Sequence, residues 1–102
     1  MVNVKKHLRI PFELKKWTGT DDTLASMYDP PVGYRCYVED TITKIEDKKG
    51  KETISMRTFY IGPDVPLDDK DLIVYKGKEH SIKKLTDILS KKGKLELWIA
   101  YA

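Results

Sequence analysis

Tyr34-Arg35-Cys36-Tyr37-Val38-Glu39 turns Tyr34, Cys36 and Val38 to one side and Arg35, Tyr37 and Glu39 to the other. This period of two is that of a strand with one buried face. Downstream, Asp47-Lys48-Lys49-Gly50 interrupts the pattern, and a second β-rich run extends from Glu52 to Ile61. A glycine after several polar residues suits a hairpin, because it accepts the positive φ that other residues resist. The two runs are therefore expected to pair antiparallel. Thr41, Ile42, Thr43 and Ile45 on one arm and Thr53, Ile54 and Ser55 on the other predict a hairpin reaching well beyond the body of the domain. Its tip carries Glu46, Asp47, Lys48, Lys49 and Lys51.

Further strands follow on either side. Leu8, Ile10, Phe12 and Leu14 alternate with His7, Arg9, Pro11 and Glu13. Pro11 has no N–H to give a ladder, which predicts an edge strand or an arm over residues 1–17. Leu72-Ile73-Val74-Tyr75, the tight turn Lys76-Gly77-Lys78 and the return from Glu79 to Leu85 read as a second hairpin. Thr86 to Lys92 reads as one helical turn around Ile88 and Leu89, and Leu95 to Tyr101 as a closing strand. Between Thr18 and Val32 periodicity lapses, and Gly19, Asp21, Asp22, Asp29, Pro30 and Pro31 predict a long loop over residues 18–33. Compact domains seldom keep so long a structureless stretch without a use. Its candidate role is partner contact, through Trp17, Asp21, Asp22, Met27 and Tyr28, against the plainer reading of a flexible connection.

The chain has 102 residues, enough for one modest core. With 40% hydrophobic and 34% charged residues it is expected to fold as a single domain over residues 1–102. Five or six short strands joined by hairpins predict a mainly β protein, a small antiparallel barrel or sandwich of SH3-like or OB-like kind. The single Cys36 has no disulfide partner and no second thiolate for a zinc site. No apolar run approaches a bilayer span, and the opening Met1-Val2-Asn3-Val4-Lys5-Lys6 lacks the apolar stretch of a secretory signal. A cytosol-like compartment, or an assembly built there, is expected.

Chemistry is hard to place on these residues. Cys36 with His7 or His80 could form a thiol and base, but Cys36 sits mid-strand, where an inert core thiol is the usual outcome. Asp64, Asp68, Asp69 and Asp71 lack the spacing and closing Glu of a calcium loop and read as soluble turn residues. There is no phosphate-binding glycine loop. The expectation is no enzyme, no catalytic or metal residues and no cofactor. Nineteen Lys plus Arg against sixteen Asp plus Glu give a net charge of only +3, weak for a nucleic-acid protein. A single-strand binder with Tyr34, Tyr37, Phe59, Tyr60 and Tyr75 on its sheet stays open as an alternative.

Three stretches carry a resemblance. Tyr28-Asp29-Pro30-Pro31-Val32-Gly33-Tyr34-Arg35-Cys36-Tyr37-Val38-Glu39, the stretch from Asp69 through Gly77 to Lys84, and Leu95-Glu96-Leu97-Trp98-Ile99 resemble the head-completion, or stopper, proteins of long-tailed bacteriophages. These are also labelled head-tail connector or minor capsid proteins. The resemblance implies a virion protein, assembled in the host cytoplasm. It would form a homo-oligomeric ring of six or twelve beneath portal and adaptor, closing the DNA channel and offering the tail its platform. DNA would only pass through, and no membrane would be involved. By the same resemblance Thr43, Lys44, Ile45, Glu46, Asp47, Lys48, Lys49, Gly50, Lys51, Glu52 and Thr53 form the channel-facing plug hairpin. A tail-completion or adaptor protein of the same particle is a close variant.

Overall fold

The computed structural model describes residues 8–102. The part of the predicted N-terminal arm before Leu8, with His7, lies outside the described residues. The described chain is all-β, and its strands follow in the order β1 (Ile10–Lys15), β2 (Trp17–Thr20), β3 (Ser26–Tyr28), β4 (Val32–Glu39), β5 (Thr43–Glu46), β6 (Glu52–Ser55), β7 (Thr58–Ile61), β8 (Leu72–Tyr75), β9 (Lys78–Ser81), β10 (Lys84–Leu89) and β11 (Leu95–Tyr101). Seven of them form one antiparallel sheet in the order β10-β11-β7-β4-β1-β8-β9, while β2-β3 and β5-β6 are separate two-stranded sheets.

The two ends of the main sheet are consecutive in the chain, since β9 and β10 are joined by Ile82 and Lys83 alone. So short a link forces the sheet to curl into a half-barrel, and Ile82, 1% exposed, fills the seam. The small β barrel or sandwich expected from the alternation is thus the fold class observed.

The long hairpin forms as predicted, in two ladders. Its base is β4 with β7, where Cys36 opposes Ile61 and Val38 opposes Phe59. Its outer part is β5 with β6, where Thr43 opposes Ser55 and Glu46 opposes Glu52. Gly50 takes φ +77°, as the turn requires. The second hairpin also holds, with Tyr75 opposite Lys78 and both turn residues, Lys76 and Gly77, at positive φ. Positive φ at both central residues is the mirror-type turn whose twist suits a two-residue connection.

Three expectations change. Strand β1 is not an edge: it lies between β4 and β8. Pro11 fits there because β8 pairs only with Glu13–Lys15, leaving one side of β1 unpaired at Pro11. Residues 18–33 are not a structureless loop, since β2 and β3 pair across it with an irregularity between Trp17 and Gly19. The helical turn at 86–92 is replaced by β10, which pairs with β11 along its length, because main-chain bonds to a neighbouring strand outweigh a weak local helical pattern.

The core gathers Phe12 and Leu14 from β1, Cys36 from β4, Phe59 and Ile61 from β7, Ile73 and Tyr75 from β8, and Ala100 from β11. Val65, Leu67 and Ile82 close it from connecting segments. Each such aliphatic or aromatic side chain contributes roughly 1.5–3 kcal/mol by leaving water. In β11 it is Trp98 and Ala100, followed by Ala102 just beyond the strand, that face this core, not the more apolar set Leu95, Leu97 and Ile99.

Candidate interaction surfaces

The β5–β6 hairpin is built around Asp47, whose Oδ1 accepts from the backbone N–H groups of Lys49 and Lys51, each at 2.9 Å. These bonds, first that of Lys51, hold its carboxyl below the ordinary range. Ile45 turns inward and is buried, and Ser55, fully buried, places its Oγ 3.0 Å from the carbonyls of both Arg57 and Ala102. The opposite face shows an exposed Lys44–Glu52 ion pair at 2.8 Å, a type worth little in water, beside exposed Ile42, Ile54 and Met56. Contrary to the expectation of a hairpin reaching well beyond the body, it is tied to the body at its side and its tip. Lys83 Nζ donates to Ile54 O at 2.8 Å, and at the tip Lys48 Nζ donates to Asp69 O at 2.7 Å. An open cleft of about 620 Å³ remains between Thr43–Glu46 and the side chains of Lys84 and Tyr101.

The β2–β3 hairpin divides the predicted contact residues. Trp17 and Tyr28 oppose each other at its base and are half-buried. Trp17 donates its backbone N–H to Asp71 Oδ1 at 2.9 Å, and its ring lies under the Lys70 ammonium, 4.4 Å from the ring centre. Asp21 turns back on its own loop, its Oδ1 accepting from Thr23 Oγ1 at 2.7 Å, Thr23 N at 2.8 Å and Ala25 N at 3.0 Å. The Thr23 hydroxyl is the main reason its carboxyl is held low. Asp22 and Met27 are exposed. Leu24, absent from the predicted set, is 83% exposed at φ +64°. Its only signal in the sequence is an apolar side chain among polar neighbours.

Cys36 is fully buried, and burial pushes its thiol up to about 12, which disfavours the reactive thiolate. Among the described residues no group of three His, Cys, Asp or Glu side chains is placed to hold a metal ion. Of the acidic cluster, Asp68 caps Lys70 N locally at 3.0 Å, but Asp71 is 1% exposed and paired with Lys16, not a soluble turn residue. On the outer face of the sheet Tyr37 and Tyr60 lie 5.7 Å apart, and burial, then Glu39, raises the Tyr60 hydroxyl.

His80 is half-buried against Phe59, with ring centres 5.8 Å apart, and its Nε2 has no hydrogen-bond partner. Burial, followed by the charges of Arg57 and Lys78, lowers its pKa below 6.5. In the window from about 6.5 down to the folded value, the unfolded chain binds more protons than the folded one, so stability decreases there as the pH is lowered. Thermal melts at pH 7.5 and 5 are expected to show a lower Tm at pH 5, and His80→Phe is expected to shrink that difference. Equal pH sensitivity in the variant would contradict this assignment.

No family model and no curated protein matches this chain. Among the described residues no helix is long and apolar enough to cross a membrane.

Proposed function

We propose that this chain is a structural subunit of the head-tail connector of a long-tailed bacteriophage, of the head-completion or stopper kind. It forms a ring beneath portal and adaptor, helps close the DNA channel and presents a platform to the tail. One observation carries the assembly part of this reading. The large apolar side chains that stay exposed, Leu24, Met27, Val32, Ile42, Ile54, Met56, Ile88 and Leu89, all lie on hairpins or beside them. Exposed apolar side chains grouped on a few surface elements mark contact with other molecules. The phage setting is supported by the resemblance of the Tyr28–Glu39, Asp69–Lys84 and Leu95–Ile99 stretches.

The rival reading, a single-strand binder, has less support. Phe59 and Tyr75 are core residues, and the aromatic pair left on the outer face, Tyr37 and Tyr60, has the Glu39 carboxylate beside it. A carboxylate at a stacking platform repels phosphate. Micromolar, strongly salt-dependent binding to short single-stranded DNA would favour that rival.

The plug assignment is tested by replacing Asp47–Lys51 with Asn-Gly, which keeps Glu46 opposite Glu52 and Ile45 opposite Thr53. The change spares buried Ile45 and removes one tether to the body, Lys48 to Asp69. The variant is expected to keep a melting temperature within a few degrees of the parent, while heads assembled with it lose packaged DNA. Normal DNA retention would refute the plug role, and a gene neighbourhood without portal, capsid and tail genes would count against the connector itself.

A further inference from the structure

Two hairpins carry opposite charge. From Trp17 to Tyr34 the chain has three carboxylates, Asp21, Asp22 and Asp29, and no Lys or Arg. From Ile88 to Leu95 it has three ammonium groups, Lys91, Lys92 and Lys94, and no Asp or Glu. The basic turn is held in shape by Ser90, whose Oγ accepts from Lys92 N at 3.3 Å and Lys94 N at 3.1 Å. Both hairpins also expose apolar side chains, Leu24 and Met27 on the acidic one, Ile88 and Leu89 on the basic one. Leu24 sits in the left-handed region, where Asn or Gly is easier to accommodate, so folding alone gives no reason for leucine there.

The sheet register places the two hairpins. Moving along β4 from Cys36 to Val32 leads on β1 toward Lys15 and on β11 toward Leu95. Both hairpins therefore leave the same end of the sheet, from strands three places apart, or about 14 Å at the usual strand spacing. The acidic hairpin is seated over β8 and β9, sharing a cleft with Leu72, Ser81 and Ile82. Among the described residues no ion pair joins Asp21, Asp22 or Asp29 to Lys91, Lys92 or Lys94, so the acidic-apolar and basic-apolar surfaces are left to match each other between copies.

We propose that the β2–β3 hairpin of one copy docks on the β10–β11 hairpin of the next. Leu24 and Met27 meet Ile88 and Leu89, while Asp22 and Asp29 face Lys91, Lys92 and Lys94; Asp21 is occupied by its own loop. Such a head-to-tail contact uses different surfaces on the two partners and closes into a ring when its rotation permits. It rests on the ring reading above and names the contact that builds the ring. One contact between hairpin ends is small, so association is weak and salt-sensitive until ring closure adds avidity.

The full chain is tested by sedimentation at rising concentration in low salt. Asp22→Lys with Asp29→Lys, and separately Lys91→Glu with Lys92→Glu and Lys94→Glu, are each expected to weaken association by about tenfold or more. Mixing the two variants restores it, because each reversed end then meets its counterpart. Leu24→Asn is expected to weaken association without lowering the melting temperature, which a merely structural role would not do. With Leu24→Cys and Leu89→Cys in one chain, oxidation is expected to give a ladder of covalent multimers, buried Cys36 staying silent. Association unchanged by every variant, with no ladder, overturns this contact while leaving a ring through other surfaces. A chain that stays monomeric at millimolar concentration also overturns the contact, and the DNA-retention experiment then decides separately whether the connector reading falls too.

Discussion

Asp71→Ala is expected to lower stability by about 3–5 kcal/mol, a fall in melting temperature of more than about 12 °C for a domain of this size. Asp71 Oδ1 accepts from Trp17 N at 2.9 Å, while Oδ2 accepts from Asp68 N at 2.9 Å and from Lys16 Nζ at 2.6 Å. Alanine leaves two backbone N–H groups in a part-buried site without an acceptor, and each costs about 1–3 kcal/mol. Lys16, about a third exposed, can turn its ammonium to water, so its own loss of a partner adds little. Asp71→Asn is expected to do nearly as much damage, since its NH₂ must face either the Lys16 ammonium and Asp68 N–H or the Trp17 N–H. Lys16→Ala is expected to cost only about 1–2 kcal/mol, because the carboxylate keeps both backbone donors. Urea or thermal unfolding of the three variants checks the order; Lys16→Ala matching Asp71→Ala would show that the ion pair, not the backbone capping, holds this corner. The cluster fixes where the β2–β3 hairpin leaves the body. Asp71→Ala is therefore also expected to loosen that hairpin, visible as faster amide exchange at Trp17 and Tyr28.

What could be read from the residues was whatever repeats locally. Alternation at Tyr34–Glu39 placed Cys36 inward, Gly50 and Gly77 marked turns because glycine accepts the positive φ that each takes, and β11 was plain as a strand. Its facing was not, because Leu95, Leu97 and Ile99 outweigh Trp98 and Ala100 in apolar character, and only the packing shows that Trp98 and Ala100 join the main core. Stretches that depend on distant partners were hidden. Three-residue β3 has too little length for a period, and its pairing with β2 is irregular at Gly19. Leu85, Ile88 and Leu89 lie three and four apart, the spacing of one helix face, yet β11 supplies a ladder for them. Asp71 looked like any acidic turn residue until Lys16, 55 positions earlier, was brought beside it. Lys48 gave no hint of its bond to Asp69, 21 positions on, which folds the predicted protrusion back onto the body. The candidate surfaces divide in the same way. Charge and chain length outlined both hairpins, but the exposure of Leu24 and its backbone conformation are properties of the folded loop alone.

Phe59→Ala is expected to cost about 3–5 kcal/mol and, separately, to weaken the response of stability to acid. Phe59 is fully buried in β7 between Val38 of β4 and Ala100 of β11, and the small Ala100 leaves room for its ring. It meets the Tyr75 ring edge-on, with centres 5.6 Å apart and planes at 80°, an arrangement that adds about 0.5–1.5 kcal/mol beyond the area buried. A small domain has only about 5–15 kcal/mol in total, so the variant is expected to melt at a much lower temperature and to unfold at low urea. Phe59→Leu, which keeps most of the volume, is expected to lose no more than about 1.5 kcal/mol. The acid response follows from the neighbour on the other side. His80 resists protonation chiefly because it is shielded from water, and Phe59 forms part of that shield. A cavity in place of the ring admits water to His80 Nε2, which then accepts a proton in the folded state nearly as readily as in the unfolded one. The Tm difference between pH 7.5 and 5 is therefore expected to shrink in Phe59→Ala and to persist in Phe59→Leu. A Phe59→Ala protein as acid-sensitive as the parent would mean that the charges of Arg57 and Lys78, not burial, hold His80 neutral.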